Sequence, residues 1–183
     1  MALNATMYRF GIQISDMDRG YYDQVSLHVA QHPSETLERV TVRLLAWCLH
    51  ADPQLTFTRG LSSEDEPDLW QHNYSGEIEL WIEVGLPDIK RLRKAAGRAK
   101  AVVVYAYGGQ SMQNWLQQNH RDLLKIDNIE VRHLDQAVVD AFARNIQRTM
   151  EISCMIQDQV MVLNVGDQMH EVTVQRLYPE TTS

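Results

Sequence analysis

The chain concentrates its acidic and basic side chains in one short stretch. Asp68 follows Pro67, Glu83 closes the hydrophobic run that starts at Glu77, and Lys90-Arg91-Leu92-Arg93-Lys94 comes directly afterwards. Two carboxylates set side by side by adjacent strands offer hard oxygen ligands to a divalent cation, and clustered cations nearby suit a phosphate. A hairpin fits between Asp68 and Glu83, with the turn at Asn73-Tyr74-Ser75-Gly76. Along the second strand side chains alternate, so Glu79, Trp81 and Glu83 share one face while Ile78, Leu80, Ile82 and Val84 form the other. The plainer alternative is a solvated acidic strand face.

A third carboxylate comes from the helix expected after His32-Pro33-Ser34-Glu35. Pro33 suits a first turn, and Glu35 stands where a capping carboxylate belongs. Spaced at 100° intervals, Leu37, Leu44 and Cys48 centre the apolar sector. Glu38 falls on the same side, and Arg39 and Arg43 point away. A carboxylate on the buried side of a helix needs an ion pair, a hydrogen bond or a metal, and all three stay open for Glu38.

The helix expected over Pro87 to Lys100 has Ile89, Leu92, Ala95, Ala96 and Ala99 on one face. Lys90, Arg91, Arg93, Lys94, Arg98 and Lys100 crowd the other. It begins where the acidic strand ends, so its amino terminus points towards the carboxylates, a geometry suited to a scissile phosphate. The competing expectation is that these cations balance acidic loops or are simply solvated.

The elements that must position these groups read clearly. Thr6 to Ser15 and Gln24 to Ala30 alternate around the turn Asp16–Gly20, giving an amino-terminal hairpin. Short strands follow at Leu55–Thr58 and Asp68–Gln71, separated by the acidic loop Leu61–Glu66. Ala101–Tyr107 is a continuous apolar strand, as expected when both faces are covered. Then come a helix over Gln110–Leu124, a strand over Ile129–Leu134 and a helix from Asp135 to about Gln147. Met150–Ile156, Val160–Val165 and Glu171–Leu177 are antiparallel strands turned at Asp158-Gln159 and Gly166-Asp167. Residues 1–183 are expected to form a single domain.

Composition narrows the classes. A net charge of −7 argues against a general nucleic-acid coat, so a polyanion would need a local basic patch. No apolar run approaches the roughly 20 residues that span a bilayer. The first residues, Met1-Ala2-Leu3-Asn4-Ala5-Thr6, lack the pattern of a secretory signal. Cys48 and Cys154 lie within apolar patterns and read as reduced packing residues of a cytoplasmic protein.

The order helix, three strands, helix, strand, with carboxylates so placed, resembles the core of the PD-(D/E)XK nuclease superfamily. Over nearly its full length the chain also resembles the YaeQ family. The residues that carry this are His32–Arg39, Arg43-Leu44-Leu45-Ala46-Trp47, Phe57–Leu61, Asp65–Trp70, Leu80–Asp88 and Arg91–Ala95. The resemblance implies an α/β (α+β) fold: a restriction-endonuclease-like αβββαβ core over about residues 33–107 with a mixed sheet, flanked by the hairpin and the carboxyl-terminal strands.

It also implies roles. Asp68 and Glu83 would ligate Mg²⁺ with help from Glu38. Lys90, Arg91 or Lys94 would supply the cation that positions the attacking water, while Arg91 and Arg93 would hold phosphate. One part is missing: Gly85 stands where the superfamily carries lysine. Two expectations therefore remain. One is an Mg²⁺-dependent phosphodiesterase acting on DNA or RNA. The other is a catalytically inactive module that holds nucleic acid or a protein partner in the same groove.

Overall fold

The computed structural model describes residues 4–180, apart from the side chain of Ser62. In chain order these form β1 (Thr6–Asp16), β2 (Tyr21–Gln31), α1 (Leu37–Leu49), β3 (Leu55–Phe57), β4 (Leu69–His72), β5 (Ile78–Val84), α2 (Ile89–Arg98) and β6 (Ala99–Ala106). There follow α3 (Gln110–Leu123), β7 (Ile129–Leu134), α4 (Gln136–Ala143), β8 (Thr149–Gln157), β9 (Val160–Val165) and β10 (Gln168–Tyr178). This is an α/β protein with both parallel and antiparallel strand pairs. No helix among the described residues is long and apolar enough to cross a membrane. The chain divides into two compact units, residues 1–51 with 137–174 and residues 52–136 with 175–183.

In the first unit the strand order is β2-β1-β8-β9-β10, with β1 parallel to β8 and the other pairs antiparallel. Alternation sets which face is covered. Phe10, Ile12 and Ile14 of β1 lie opposite Met150, Ile152 and Cys154 of β8, and all six are buried. Asp158 and Gln159, the expected turn, both take positive φ (52° and 65°). The Asp18 carboxylate accepts both of their N–H groups at 2.8 Å, which holds this left-handed pair in place.

The start of α1 departs from expectation. His32–Glu35 is a tight turn, with Glu35 N–H bonded to the His32 carbonyl at 2.8 Å. The helix begins at Leu37, where Thr36 caps it by accepting from the Arg39 N–H. Glu35 does not cap α1; its Oε2 accepts from the His32 N–H at 3.1 Å and so closes the preceding turn. Its buried carboxylate accepts from the Arg43 Nε and a second Arg43 nitrogen at 2.8 and 2.9 Å, and from Arg39 at 2.8 Å. Arg43 does not point away from the core: it is 2% exposed and also donates to the Ala30 carbonyl. The buried acid of this helix entrance is therefore Glu35, and Glu38 is only half-buried. Cys48 and Cys154 are both buried, as expected of packing residues. A hydrogen bond to Cys154, then burial, pushes the Cys48 thiol up.

In the second unit the order is β7-β6-β5-β4-β3: β3, β4 and β5 run antiparallel, β5, β6 and β7 parallel. Trp81, Val102, Val104 and Val131 of the strands pack with Leu92 and Ala95 of α2 and with Met112, Trp115 and Leu123 of α3. That cluster fixes α2 against the face of β5 that carries Trp81 and Glu83. The Asp88 side chain caps α2 by accepting from the Lys90 N–H at 2.7 Å. At Ala99 the chain passes directly from helix into β6, pairing with Ile78. The expected helix to Lys100 thus ends early, because parallel pairing to β5 claims its last residues.

Candidate functional site

Asp68 precedes β4 and Glu83 lies one residue from the end of β5. The hairpin register pairs Leu69 with Ile82 and Trp70 with Trp81, so Asp68 and Glu83 come to one face of neighbouring strands. Both are almost fully buried, at 2% and 4% exposure. Asp68 is fixed at both ends of its residue: its N–H donates to the Ile82 carbonyl at 3.0 Å, and its Oδ2 accepts from the Val84 N–H at 2.8 Å. Its Oδ1 faces Gly60. Glu83 accepts through Oε1 from the indole Nε1 of Trp81 and from the Arg91 Nε, each at 2.8 Å.

The electrostatics follow from this packing. Burial, then the neighbouring Asp68 charge, pushes the Glu83 carboxyl up. The Trp81 and Arg91 contacts only partly oppose that. A carboxylate pair held together in a dry setting is strained in its charged form, and a cation relieves it.

The cations of α2 are largely committed. Besides Glu83, Arg91 donates to the Glu64 carbonyl at 2.7 Å and the Glu66 carbonyl at 2.5 Å. Lys94 pairs with the Asp65 carboxylate. Arg98 donates to the Asp65 carbonyl at 2.8 Å and lies over the Trp81 ring, 5.0 Å from its centroid. Arg93 pairs with Asp122 at 2.5 Å, and Lys100 with Glu79 and Glu77 at 2.6 and 3.2 Å. Lys90 is exposed in the first turn and its ammonium has no partner among the described residues.

The structure thus joins Asp68, Glu83 and Arg91 in one cluster, with Lys90 beside Arg91 in sequence and Lys94 one turn further along α2. Arg93 is turned to Asp122 of α3, and Glu38 belongs to α1 of the first unit. Among the described residues, no group of three or more His, Cys, Asp or Glu side chains is placed to hold a metal ion. A two-carboxylate set is what the second unit offers.

Gly85 explains its own identity. Its φ is +105° and its N–H donates to the Tyr105 carbonyl at 2.9 Å, while the space a Cβ would enter is open. Backbone conformation, not crowding, disfavours lysine here. Sequence reasoning missed the indole bond from Trp81 to Glu83 and the Arg98 stack. The alternation that put Trp81 and Glu83 on one face was the signal for the first. Trp70 packs across from Trp81, edge to face at 6.1 Å.

Comparison with known proteins gives a consistent result. A family model described as YaeQ protein matches residues 1–174. A protein of Escherichia coli (strain K12) named "Uncharacterized protein YaeQ" is 44% identical over 167 residues, covering 90% of this chain and 91% of the relative. Its namesake in Salmonella typhi is 42% identical over 164 residues, with the same coverage. The crystal structure of the YaeQ protein from Xanthomonas axonopodis pv. citri is 44% identical with a TM-score of 0.90, covering 94% of this chain and 98% of that one. That of the Pseudomonas syringae protein is 35% identical with a TM-score of 0.91, covering 96% and 97%.

Proposed function

The chain belongs to the YaeQ family, and from that premise we propose that it is an Mg²⁺-dependent phosphodiesterase acting on DNA or RNA. Its site would be a variant PD-(D/E)XK arrangement built on Asp68 and Glu83. The observation that carries this reading is the buried pair itself, in which burial and the Asp68 charge raise Glu83. Such a pair is costly, and the Arg91 guanidinium offsets the cost at Glu83 without cancelling the rise. The element order α1-β3-β4-β5-α2-β6 and the parallel pairing of β5 with β6 also support it.

The residues present fit such an ion. Mg²⁺ takes oxygen ligands, keeps several waters, and is usually held by one or two carboxylates plus substrate phosphate. Asp68 and Glu83 supply those two. Mg²⁺ held by Asp68 and Glu83 would supply Lewis-acid polarisation of a phosphoryl oxygen and would lower the pKa of a water. Arg91 orients Glu83 through its Nε bond, and Trp81 holds the same oxygen from the other side. Lys90, exposed in the first turn of α2 and without a partner for its ammonium among the described residues, would offset negative charge developing on a phosphate. It takes the part that Gly85 cannot play.

A second reading has its own observation. Arg91, Lys94 and Arg98 are occupied by the loop Glu64–Glu66, which suits a module that binds without cutting. One experiment separates the two. Mg²⁺ and Mn²⁺ are titrated calorimetrically, and the protein is incubated with plasmid, single-stranded DNA and RNA. The expected result is metal binding and cleavage, both lost in Glu83→Ala. No binding and no cleavage would leave only the module, and cleavage surviving Glu83→Ala would refute the assigned residues.

A further inference from the structure

We infer that the acidic segment Glu64-Asp65-Glu66 is a built-in strap that occupies the nucleic-acid-binding face of α2 and must be displaced before a phosphodiester backbone can bind there. The inference rests on the reading of this site as one for DNA or RNA, and it adds how access to it is controlled. Arg91, Lys94 and Arg98 stand at helical spacing along one side of α2. Each is bound to the same three-residue segment, 25 to 33 positions away in sequence. What the strap presents to them is oxygen: the carbonyls of Glu64, Asp65 and Glu66 and the carboxylate of Asp65. A sugar–phosphate backbone presents the same chemistry, a run of anionic oxygens that guanidinium and ammonium groups accept without regard to sequence.

The strap is held at its base by the Arg91 guanidinium on the Glu64 and Glu66 carbonyls, and at its tip by solvent-exposed contacts. Arg59 pairs with Glu66 at 3.1 Å, and Glu66 lowers its own protonation tendency through that contact. At the tip, the Asp65 and Lys94 side chains are 76% and 57% exposed. Exposed ion pairs contribute little and are screened by salt. An incoming strand of phosphates, with many charges against one, outcompetes Asp65 for Lys94 and Arg98. Arg91 stays anchored by Glu83, so the displaced face retains a fixed cation.

Binding of a short fluorescein-labelled single-stranded oligonucleotide is measured by anisotropy in EDTA, so that the readout needs neither metal nor cleavage. Asp65→Ala is expected to tighten binding at least about threefold over the unmodified chain. Adding Lys94→Ala to it is expected to abolish that gain. Glu171→Ala, which removes one exposed charge from β10, controls for net charge. Hydrogen exchange of the 64–66 amides in the unmodified protein is expected to speed up when oligonucleotide is added. No tightening in Asp65→Ala, equal tightening in Glu171→Ala, or exchange at 64–66 unmoved by bound oligonucleotide would each overturn the strap. Failure to cleave in Mg²⁺ would count against the phosphodiesterase and leave these results standing.

Discussion

Replacing Asp68 tests whether the carboxylate pair is scaffold, site or both. In Asp68→Ala the buried Val84 N–H loses its acceptor at 2.8 Å. A buried donor left without a partner costs about 1–3 kcal/mol, and one taken from a charged acceptor lies in the upper half of that range. Removal of the Asp68 charge works the other way, because that charge is the second cause raising Glu83. Asp68→Asn shares this relief yet keeps an amide oxygen where Oδ2 stood. The difference between the two variants therefore isolates the hydrogen bond, and we expect it to be about 2 kcal/mol in favour of Asn. For a chain of this size that separates their melting temperatures by about 4–8 °C. The assay is thermal unfolding by circular dichroism without metal, followed by calorimetric Mg²⁺ titration of each. Both variants should lose metal affinity, since both lose an ionised ligand. Equal melting temperatures for Ala and Asn would refute the tether, and full Mg²⁺ affinity in Asp68→Asn would refute the ligand role.

Two further outcomes follow from buried charge. Arg43→Leu leaves the Glu35 carboxylate buried with Arg39 as its remaining arginine, and should cost about 3 kcal/mol in urea unfolding. Adding Glu35→Gln should recover part of the loss, and a double variant no better than the single would count against an ion pair as the cause. Because the folded-state Glu83 carboxyl is raised, its contribution to stability is fully present below the unfolded value of about 4.3 and is lost as pH rises through the folded value. Glu83→Gln should accordingly melt above the unmodified protein at neutral pH, with the gap closing on acidification; a gap that widens as pH falls contradicts the burial argument.

The strands were legible because their signal is local. The alternation of β1, β5 and β8, the run of β6 and the turn at Asp158-Gln159 are each fixed by neighbouring residues, and β7 and β9 match their expected bounds. What failed was partner identity. A helical wheel sends Arg43 to the polar side of α1, and nothing local reveals that Glu35 and the Ala30 carbonyl wait for it in the core. Glu38 looked buried for the same reason. On α2 the wheel found the basic face correctly, but its main partners lie more than two dozen residues upstream, in a loop whose course no periodicity encodes. Helix starts were misjudged where turn chemistry competes: Pro33 fits a first helical turn and a tight turn equally well, and the His32–Glu35 bonds decide for the turn.

The occupied cations bear on how an acidic chain could handle a polyanion. At a net charge of −7, long-range repulsion opposes any phosphodiester, so attraction has to be local. Six cations over residues 90–100 could supply it, yet among the described residues all but Lys90 already face an oxygen acceptor. Those acceptors differ in kind. Glu83, itself buried, holds Arg91 in a half-buried contact that a ligand in solution breaks less easily, whereas Asp65, Asp122 and Glu77 hold Lys94, Arg93 and Lys100 in exposed ones. A gradient from fixed to exchangeable cations therefore runs outward from the carboxylate pair. On the proposed phosphodiesterase reading, the fixed end would set geometry at the reacting phosphate and the exchangeable end would admit the strand. A site that bound only a small anion would have no need of the second.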